Sequence, residues 1–247
     1  MVWLTDLYQF LLHINYHSYV SLFLEINKDH GINLNSGGSI IVNGTSSGDL
    51  TYKRTLANAN QYYYVSSPFD GETIQDIISN NSLSTGNGNV GLFEYNNNTT
   101  LGYLGTGFVF YQPTSTGSLV SAKGYGIQLS ASGDVTFSGT MLTNDASISI
   151  SEGTMGDITP NPSNLIGNPY PSYIAANLNA DANNLLSNNT TILSEITLYF
   201  WDNISSSYIA KNQGSAAFFV APGQGFFVSS SSTGGLFNIL ESCNSFS

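Results

Sequence analysis

Cysteine and histidine are scarce in this sequence, and histidine is absent from its central part. The single cysteine, Cys243, lies near the end of the 247-residue chain, and the three histidines, His13, His17 and His30, lie near its beginning. One cysteine forms neither an intramolecular disulfide nor a thiolate metal site. His13 and His17 could place two ligands on one helix face, but no Glu of the metalloprotease pattern accompanies them. The central part therefore offers no histidine base to a Ser-His-Asp or Cys-His nucleophile, which argues against those enzyme classes.

Charge is also scarce, and basic charge most of all. Asp, Glu, Lys and Arg make up 9% of the chain, and 16 acids against 5 bases give a net charge of −11. A surface of this sign repels a phosphate backbone and has no Lys/Arg cluster to release counterions, so nucleic acid is excluded as a partner. An anionic membrane surface is disfavoured for the same reason.

A long uninterrupted apolar run is missing as well. Residues 1–26 have apolar side chains at helical spacing, but polar residues such as Gln9, His13 and His17 interrupt them, so no membrane insertion is expected. Asp6 precedes the apolar part, and neither a basic start nor a small-residue cleavage site is present, so the segment does not have the pattern of a signal peptide. We interpret residues 1–30 as an N-terminal helical extension, either a packing helix or an artefactual extension of the reading frame.

The residues that are abundant favour strands and turns. Apolar residues make up 41% of the chain and aromatic residues 13%, which is enough for a core without metals or crosslinks. Asn, Ser, Thr and Gly supply the polar surface, and these are poor helix formers and good turn formers. Segments such as 134–139 and 146–151 alternate apolar and polar residues. The prediction is an all-β fold of the β-sandwich or jelly-roll type, with short polar excursions at residues 72–80 and 174–187 that could hold a helical turn.

Several apolar strands run directly into turns built from Gly, Asn and Pro. The first contains Asn168, Pro169, Tyr170 and Pro171 within residues 165–172; the second carries Trp201 within residues 198–202; the third carries Gly223 and Gly225 within residues 222–228. An earlier series, at residues 62–68, 108–111 and 124–129, has a similar order. A weak internal duplication into two pseudo-repeated halves is therefore one interpretation, and chance similarity is the other.

These pieces together resemble a β-rich module of large secreted and surface proteins of Bacteroidota, where the module lies upstream of a type IX secretion sorting domain. The resemblance covers residues 32–240. It implies an extracellular or cell-surface location and carries no enzymatic activity, cofactor or named ligand. In the resembled proteins a segment such as residues 32–44 is the last rung of a parallel β-solenoid. The expected organisation is thus an N-terminal extension at 1–30, a solenoid-like rung with a linking strand at 31–56, the β-sandwich at 57–240 and a tail at 241–247, in a fragment without the sorting domain.

Carboxylates are the only serious candidates for catalysis. A glycosidase needs two of them facing each other across the scissile bond. Asp70 and Glu72 have the spacing of one strand face, but Gly71 between them indicates a turn, and the other acids are scattered singly. We therefore predict no catalytic residues and a protein that is not an enzyme.

A calcium site is the inorganic alternative. Asn179, Asp181 and Asn183 could offer amide and carboxylate oxygens at alternate spacing, which suits a hard cation. The run lacks the Gly and the terminal Glu of an EF-hand loop, so an Asn-rich helix cap is the competing interpretation. We predict no cofactor and keep calcium as a weak alternative.

Aromatic side chains could form a platform for sugars. Tyr62, Tyr64, Tyr173 and Tyr208 are the candidates, because ring faces stack on the apolar CH patches of a sugar. Filling of a sandwich core by the same rings is the competing interpretation.

The sequence as a whole favours a non-catalytic extracellular module, a spacer or adhesion unit of a larger bacterial surface protein. The alternatives are a carbohydrate-binding module or glycan-active domain, and a truncated open reading frame without independent function. The expected partners are neutral polysaccharide or other surface proteins.

Overall fold

The computed structural model describes residues 24–27, 31–42, 46, 48–99, 105–156 and 158–245. Strands account for 47% and helices for 7% of the structure. The prediction of an all-β fold is confirmed.

The elements are short, as expected for a chain rich in turn formers. The only α-helix among the described residues is α1 (Ile74–Asn80). The strands in chain order are β1 (Leu24–Asn27), β2 (Gly31–Leu34), β3 (Asp49–Leu56), β4 (Tyr62–Val65), β5 (Thr85–Gly86), β6 (Asn89–Val90), β7 (Leu92–Tyr95), β8 (Phe108–Phe110), β9 (Tyr125–Gln128), β10 (Gly133–Thr140), β11 (Ala146–Ile150), β12 (Gly153–Met155), β13 (Ile158–Asn161), β14 (Ser163–Gly167), β15 (Tyr173–Ala175), β16 (Leu193–Asp202), β17 (Ser207–Asn212), β18 (Phe219–Val220), β19 (Gly225–Ser230), β20 (Gly235–Ile239) and β21 (Asn244–Ser245).

The body of the chain contains the same arrangement twice. One antiparallel sheet has the order β4-β9-β7-β8 and a second has the order β14-β19-β16-β17, so both read first, fourth, second, third along the chain. Each half also has an antiparallel strand pair, which we call its ladder: β3 with β10, within the four-stranded sheet β1-β2-β3-β10, and β11 with β20. The predicted duplication into two halves is present, but one predicted correspondence is wrong: residues 198–202 on β16 match β7, whereas residues 108–111 on β8 match β17.

The two halves meet through reciprocal contacts. Val65 bridges Gln224, and Lys123 bridges Ile166. Ile166 occupies in the second half the place of Val65 in the first, and Gln224 occupies the place of Lys123. The second bridge therefore repeats the first with the halves exchanged, so the halves are related by an approximate two-fold axis.

Each half encloses its own hydrophobic core between its sheet and its ladder. The first core is built from strands β3, β4, β7, β9 and β10 together with α1, and the second from strands β11, β14, β16, β19 and β20. The largest fully buried side chains include Tyr52, Phe137, Ile127, Tyr170, Phe226 and Phe237. This layering is sandwich-like, because an apolar sheet face in each half packs on an apolar ladder face.

A helical turn predicted within residues 72–80 is confirmed as α1. Thr73 forms a capping box with Asp76, whose carboxylate accepts hydrogen bonds from the Thr73 backbone and hydroxyl. Ile74 and Ile77 bury the inner side of the helix in the first core. The second excursion, predicted at residues 174–187, begins in strand β15, and a 3-10 turn at Ser187–Asn189 begins at its last residue.

The predicted N-terminal boundaries need correction. Residues 1–23 and 28–30 lie outside the described residues, but Leu24–Asn27 is strand β1, paired with β2, where a helix was predicted. The parallel pairing of β2 with β3 fits a solenoid-like rung. However, β3 pairs along its whole length with β10 and buries Leu50 and Tyr52 in the first core, so the sandwich begins at β3 and not at residue 57.

Residues 241–245 of the predicted tail are part of the folded body, and residues 246–247 lie outside the described residues. The thiol-bearing residue Cys243 is only 2% exposed, and Asn244–Ser245 forms strand β21, which pairs with β15. The amide of Asn188 donates to the Cys243 sulfur. A polar segment was mistaken for a tail because its buried contacts are made by amides rather than by apolar side chains.

Candidate functional site: an aromatic row across two sheets

A continuous row of aromatic side chains crosses one face of the two four-stranded sheets. Neighbouring ring centroids in the row lie between 5.0 and 6.4 Å apart. The row consists of Tyr62, Tyr64, Phe93, Tyr95, Phe108, Phe110, Trp201, Tyr208 and Phe227. We call these residues the aromatic row.

The period-two alternation of the strands places these rings on one face. On β4, Tyr62 and Tyr64 point into the row, whereas Tyr63 packs against the first core. On β7, Phe93 pairs with Gly126 of β9, and its ring lies so close that a Cβ on Gly126 would be 1.9 Å from it. Because Gly126 has no side chain, the Phe93 ring packs directly against the backbone of β9.

Tyr64 joins the two sheets at the middle of the row. Its ring stacks on Tyr208 with an interplanar angle of 14°, and the two hydroxyls are 2.9 Å apart. Its edge also meets Phe227, with the centroids 5.2 Å apart. A residue of the first half is thus packed among residues of the second.

The row is partly exposed to solvent along its rim and closed at its floor. Tyr208 is 45% exposed, while Phe93 and Phe227 are 3% and 7% exposed. The remaining members are half-buried. Contiguous half-exposed aromatic surface of this kind is unusual on a polar protein surface, which makes the row the candidate contact site.

The row carries little charge. Burial, and next the neighbouring Tyr208, raises the pKa of Tyr64, so its hydroxyl stays protonated at neutral pH. The Glu94 carboxylate, on the same strand as Phe93, is paired with the Lys123 ammonium. Uncharged hydroxyls are therefore the polar groups that the row offers, together with the half-buried Asp202 at its edge.

Three of the four predicted platform residues come together here. Tyr62, Tyr64 and Tyr208 belong to the aromatic row, whereas Tyr173 lies on β15 in another sheet and interacts electrostatically with Tyr52 and Arg54. Placing Tyr173 in the platform was wrong. No signal in the sequence distinguishes Tyr173 from the other three, because the pattern of residues does not show which sheets share a face.

The predicted Asn-Pro-Tyr-Pro corner is structural. Asn168, which is fully buried, donates its amide to the backbone carbonyls of Ser172, Val220 and Ala221 and accepts from the Tyr170 amide. The buried Pro169 and Pro171 hold the corner between them.

The Tyr170 hydroxyl closes the corner against the neighbouring ladder. Tyr170 is 1% exposed, and its hydroxyl lies 2.8 Å from the Ile239 carbonyl and 3.0 Å from the Ala146 amide. Burial raises the pKa of Tyr170, so the hydroxyl remains a donor. The prediction of a buried, structural Tyr170 is confirmed.

The Gly-x-Gly segment is part of the contact between the halves. Gly223 has a φ of +65°, a conformation that favours glycine, and its carbonyl accepts a hydrogen bond from the Ser66 amide. A Cβ on Gly225 would lie 2.9 Å from both the amide nitrogen and the carbonyl oxygen of Val65. The predicted close backbone approach is therefore present. Trp201, from the second predicted segment, belongs to the aromatic row.

The residues of the calcium alternative act in loop hydrogen bonds. The Asn179 side-chain amide donates to the Ser215 carbonyl, and the Asp181 carboxylate accepts from the Asn183 backbone amide. The Asn183 side chain donates to Ser242. The Asp181–Asn183 contact is an Asx turn, and none of the three side chains forms the helix cap of the competing interpretation. Among the described residues no group of three His, Cys, Asp or Glu side chains could hold a metal ion.

The carboxylates weighed for catalysis do not share a face. Asp70 is exposed, whereas Glu72 is 2% exposed and accepts hydrogen bonds from the Ser67 hydroxyl and the Ser138 amide. Burial raises the pKa of Glu72 to about 7. Burial likewise raises the pKa of the Cys243 thiol to about 11, which suits an unreactive sulfur.

Comparison with known proteins gives one family. A family model described as a domain of unknown function, DUF8693, matches residues 11–239. No curated protein and no solved structure matches the chain. In the part of the chain that the structure describes, no helix is long and apolar enough to cross a membrane.

Proposed function

The chain belongs to the DUF8693 family, and on that premise we propose that it is a non-catalytic structural and adhesion module of a larger bacterial surface protein. The aromatic row is its contact face. The resemblance to surface proteins of Bacteroidota supports an extracellular location and export by the type IX pathway.

The observation that carries this proposal is the continuity of the aromatic row over both halves. Rings that serve only a core would be covered, yet Tyr208 is 45% exposed and most members of the row are half-buried. The buried floor formed by Phe93 and Phe227 holds the exposed rings in place. A rigid, pre-formed aromatic face suits binding, because little side-chain entropy is lost when a partner docks.

A non-catalytic role is supported by where the reactive groups lie. Glu72 and Cys243 are both buried and hydrogen-bonded within the protein. The half-buried Asp202 accepts hydrogen bonds from the Ile204 and Ser205 backbone amides through its carboxylate, so it shapes a turn. These acids and the thiol serve the fold, which favours binding over chemistry.

Neutral polysaccharide is the second candidate, as the ligand of a carbohydrate-binding module. Aromatic rings with free faces stack on the CH patches of sugars, and hydroxyl and carboxylate groups at the ring edges bind sugar hydroxyls. The exposed Tyr208 and the half-buried Trp201, beside Asp202, offer this combination. The net charge of −11 disfavours acidic polymers.

The test is retention of the protein on insoluble neutral polysaccharides, namely cellulose, mannan and xylan. We expect weak retention that Tyr208→Ala abolishes and that Tyr173→Ala, a matched tyrosine change outside the row, leaves unchanged. Sugar release from the same polymers is measured in parallel. Hydrolysis lost on changing a single carboxylate would overturn the non-catalytic proposal, while retention on none of the polymers would leave the structural proposal and remove the glycan candidate.

A further inference from the structure

The two halves place equivalent aromatic pairs on the same face. Tyr95 at the end of β7 pairs with Phe108 on β8, and Trp201 near the end of β16 pairs with Tyr208 on β17. The ring centroids are 5.3 Å apart in the first pair and 5.1 Å apart in the second. Since β7 corresponds to β16 and β8 to β17, the duplication has produced two copies of one aromatic pair.

A single ring connects the two pairs. The Phe227 centroid lies 5.0 Å from that of Tyr95 and 5.8 Å from that of Tyr208. Phe227 is 7% exposed, so it forms the floor between the pairs and not a barrier. The pairs are therefore neighbouring parts of one surface.

The residue after each pair's first ring builds a matching polar edge. Asn96 follows Tyr95, and its side-chain oxygen accepts a hydrogen bond from the Asn98 amide. Asp202 follows Trp201, and its carboxylate accepts from the Ile204 amide. Both are Asx turns, which fix the backbone beside the rings.

We infer that the aromatic row holds two equivalent stacking subsites, and that its ligand is a linear neutral polysaccharide chain long enough to cover both. This inference rests on the glycan candidate of the proposed function. A sugar polymer repeats the same apolar face along its length, so it alone among neutral sugars offers one face to each pair. A monosaccharide occupies a single subsite.

Linkage of two subsites predicts a characteristic dependence on chain length. Once the first subsite is filled, the second is filled at a high effective concentration, so affinity rises much more than the number of sugar units does. We expect at least about a tenfold gain in affinity between a monosaccharide and a hexasaccharide, which corresponds to about 1.4 kcal/mol.

The experiment is calorimetric titration with glucose, mannose and xylose and with their linear oligosaccharides of two, four and six units. Phe108→Ala removes a ring from the first subsite, and Tyr208→Ala removes one from the second. Each change should abolish the gain with length while leaving weak binding of the short oligomer at the other subsite. Tyr173→Ala is the matched control, and a thermal melt of each variant confirms that it is folded.

The outcomes separate this inference from the proposal beneath it. Length-dependent binding that either variant abolishes supports two subsites. Binding whose affinity is the same for all lengths, or which only one of the two variants affects, overturns the inference and leaves a single-site glycan-binding module. Binding of no oligomer overturns both the inference of two subsites and the glycan candidate on which it rests.

Discussion

At the scale of single residues, the side-chain amides of asparagine make the buried polar contacts that charged side chains make in many other proteins. Buried Asn168 makes three hydrogen bonds to backbone carbonyls with one side chain. Asn177 does the same for the carbonyls of Asn212, Ser215 and Ala216. A carboxamide satisfies buried donors and acceptors without the desolvation cost of an ion, which explains how a chain with 9% charged residues holds long loops in place.

Tyr170 gives the first prediction at this scale. Tyr170→Phe keeps the ring but leaves the Ala146 amide and the Ile239 carbonyl without their buried partner, which should cost about 1–3 kcal/mol of unfolding free energy. Tyr170→Ala also leaves a cavity and should cost about 3–5 kcal/mol. Chemical denaturation measures both; an unchanged midpoint for Tyr170→Ala would contradict the structural role of the corner.

Glu72 gives a prediction about pH. Its pKa in the folded protein is raised to about 7 by burial, above the value of an unfolded glutamate. The folded state therefore binds this proton more tightly, so the contribution of Glu72 to stability is greatest at acid pH, falls as the pH rises through the range from about 4.5 to 7, and levels off above it. We expect a loss of about 3 kcal/mol across this range.

The matched variant is Glu72→Gln, which keeps the shape of the side chain and cannot ionise. Its melting temperature should exceed that of the unmodified protein at pH 8 and approach it at pH 5. Parallel pH profiles for the two proteins would show that Glu72 is not the titrating group.

At the scale of elements, two asparagines fasten equivalent helical turns to equivalent strands. Asn81 donates to the carbonyls of Ile77 and Thr136 and accepts from the Thr136 amide. Asn189 makes the same three contacts with Leu185 and Asn238. Because Thr136 lies on β10 and Asn238 on β20, the same clamp occurs once in each half.

The clamp predicts matched effects in the two halves. Asn81→Ala and Asn189→Ala should each lower the unfolding free energy by about 2–4 kcal/mol. Each change leaves one backbone amide and two backbone carbonyls without their hydrogen-bond partner. Thermal melts measure the two losses side by side. A large loss for one variant and none for the other would argue that the halves are not equivalent.

The sequence predicts elements better than it predicts their neighbours. Alternation and turn residues correctly predict β10, β11 and the corner after β14, because these signals are local. The correspondence of β16 with β7 was missed, since Leu92–Tyr95 contains Glu94 and does not look like the aromatic strand at Leu193–Asp202. Phe93 and Phe227 were not predicted in the site either, because alternation shows which residues share a strand face and not which faces meet.

At the scale of the whole molecule, the two halves meet through backbone contacts that leave no space for a side chain between them. Gly225 is the tightest test of this contact, because its Cβ would press on the Val65 backbone. Gly225→Ala should lower the unfolding free energy by about 1–3 kcal/mol through forced displacement of the halves. Gly86→Ala is the control, since nothing lies within 4 Å of that position, and it should change stability by less than about 1 kcal/mol.

The N-terminal part contributes an edge to the molecule. Strand β1 pairs with β2, at the end of the order β1-β2-β3-β10. Removal of residues 1–30 should therefore leave the β-type circular dichroism and one cooperative melt, because β3 and β10 keep each other as partners. An insoluble or unfolded product would show that this segment belongs to the first core.

The central claim is that the aromatic row is the contact face, and the fluorescence of Trp201 tests it most directly. The chain has two tryptophans, so Trp3→Phe leaves Trp201 as the only source of tryptophan fluorescence. Trp201 packs on Tyr208 in the row. Titration with soluble mannan, xylan and cello-oligosaccharide should shift its emission to shorter wavelength and saturate, and Tyr208→Ala should weaken the response. Retention on a polysaccharide without any change in Trp201 emission would contradict the account, because binding would then occur elsewhere on the protein.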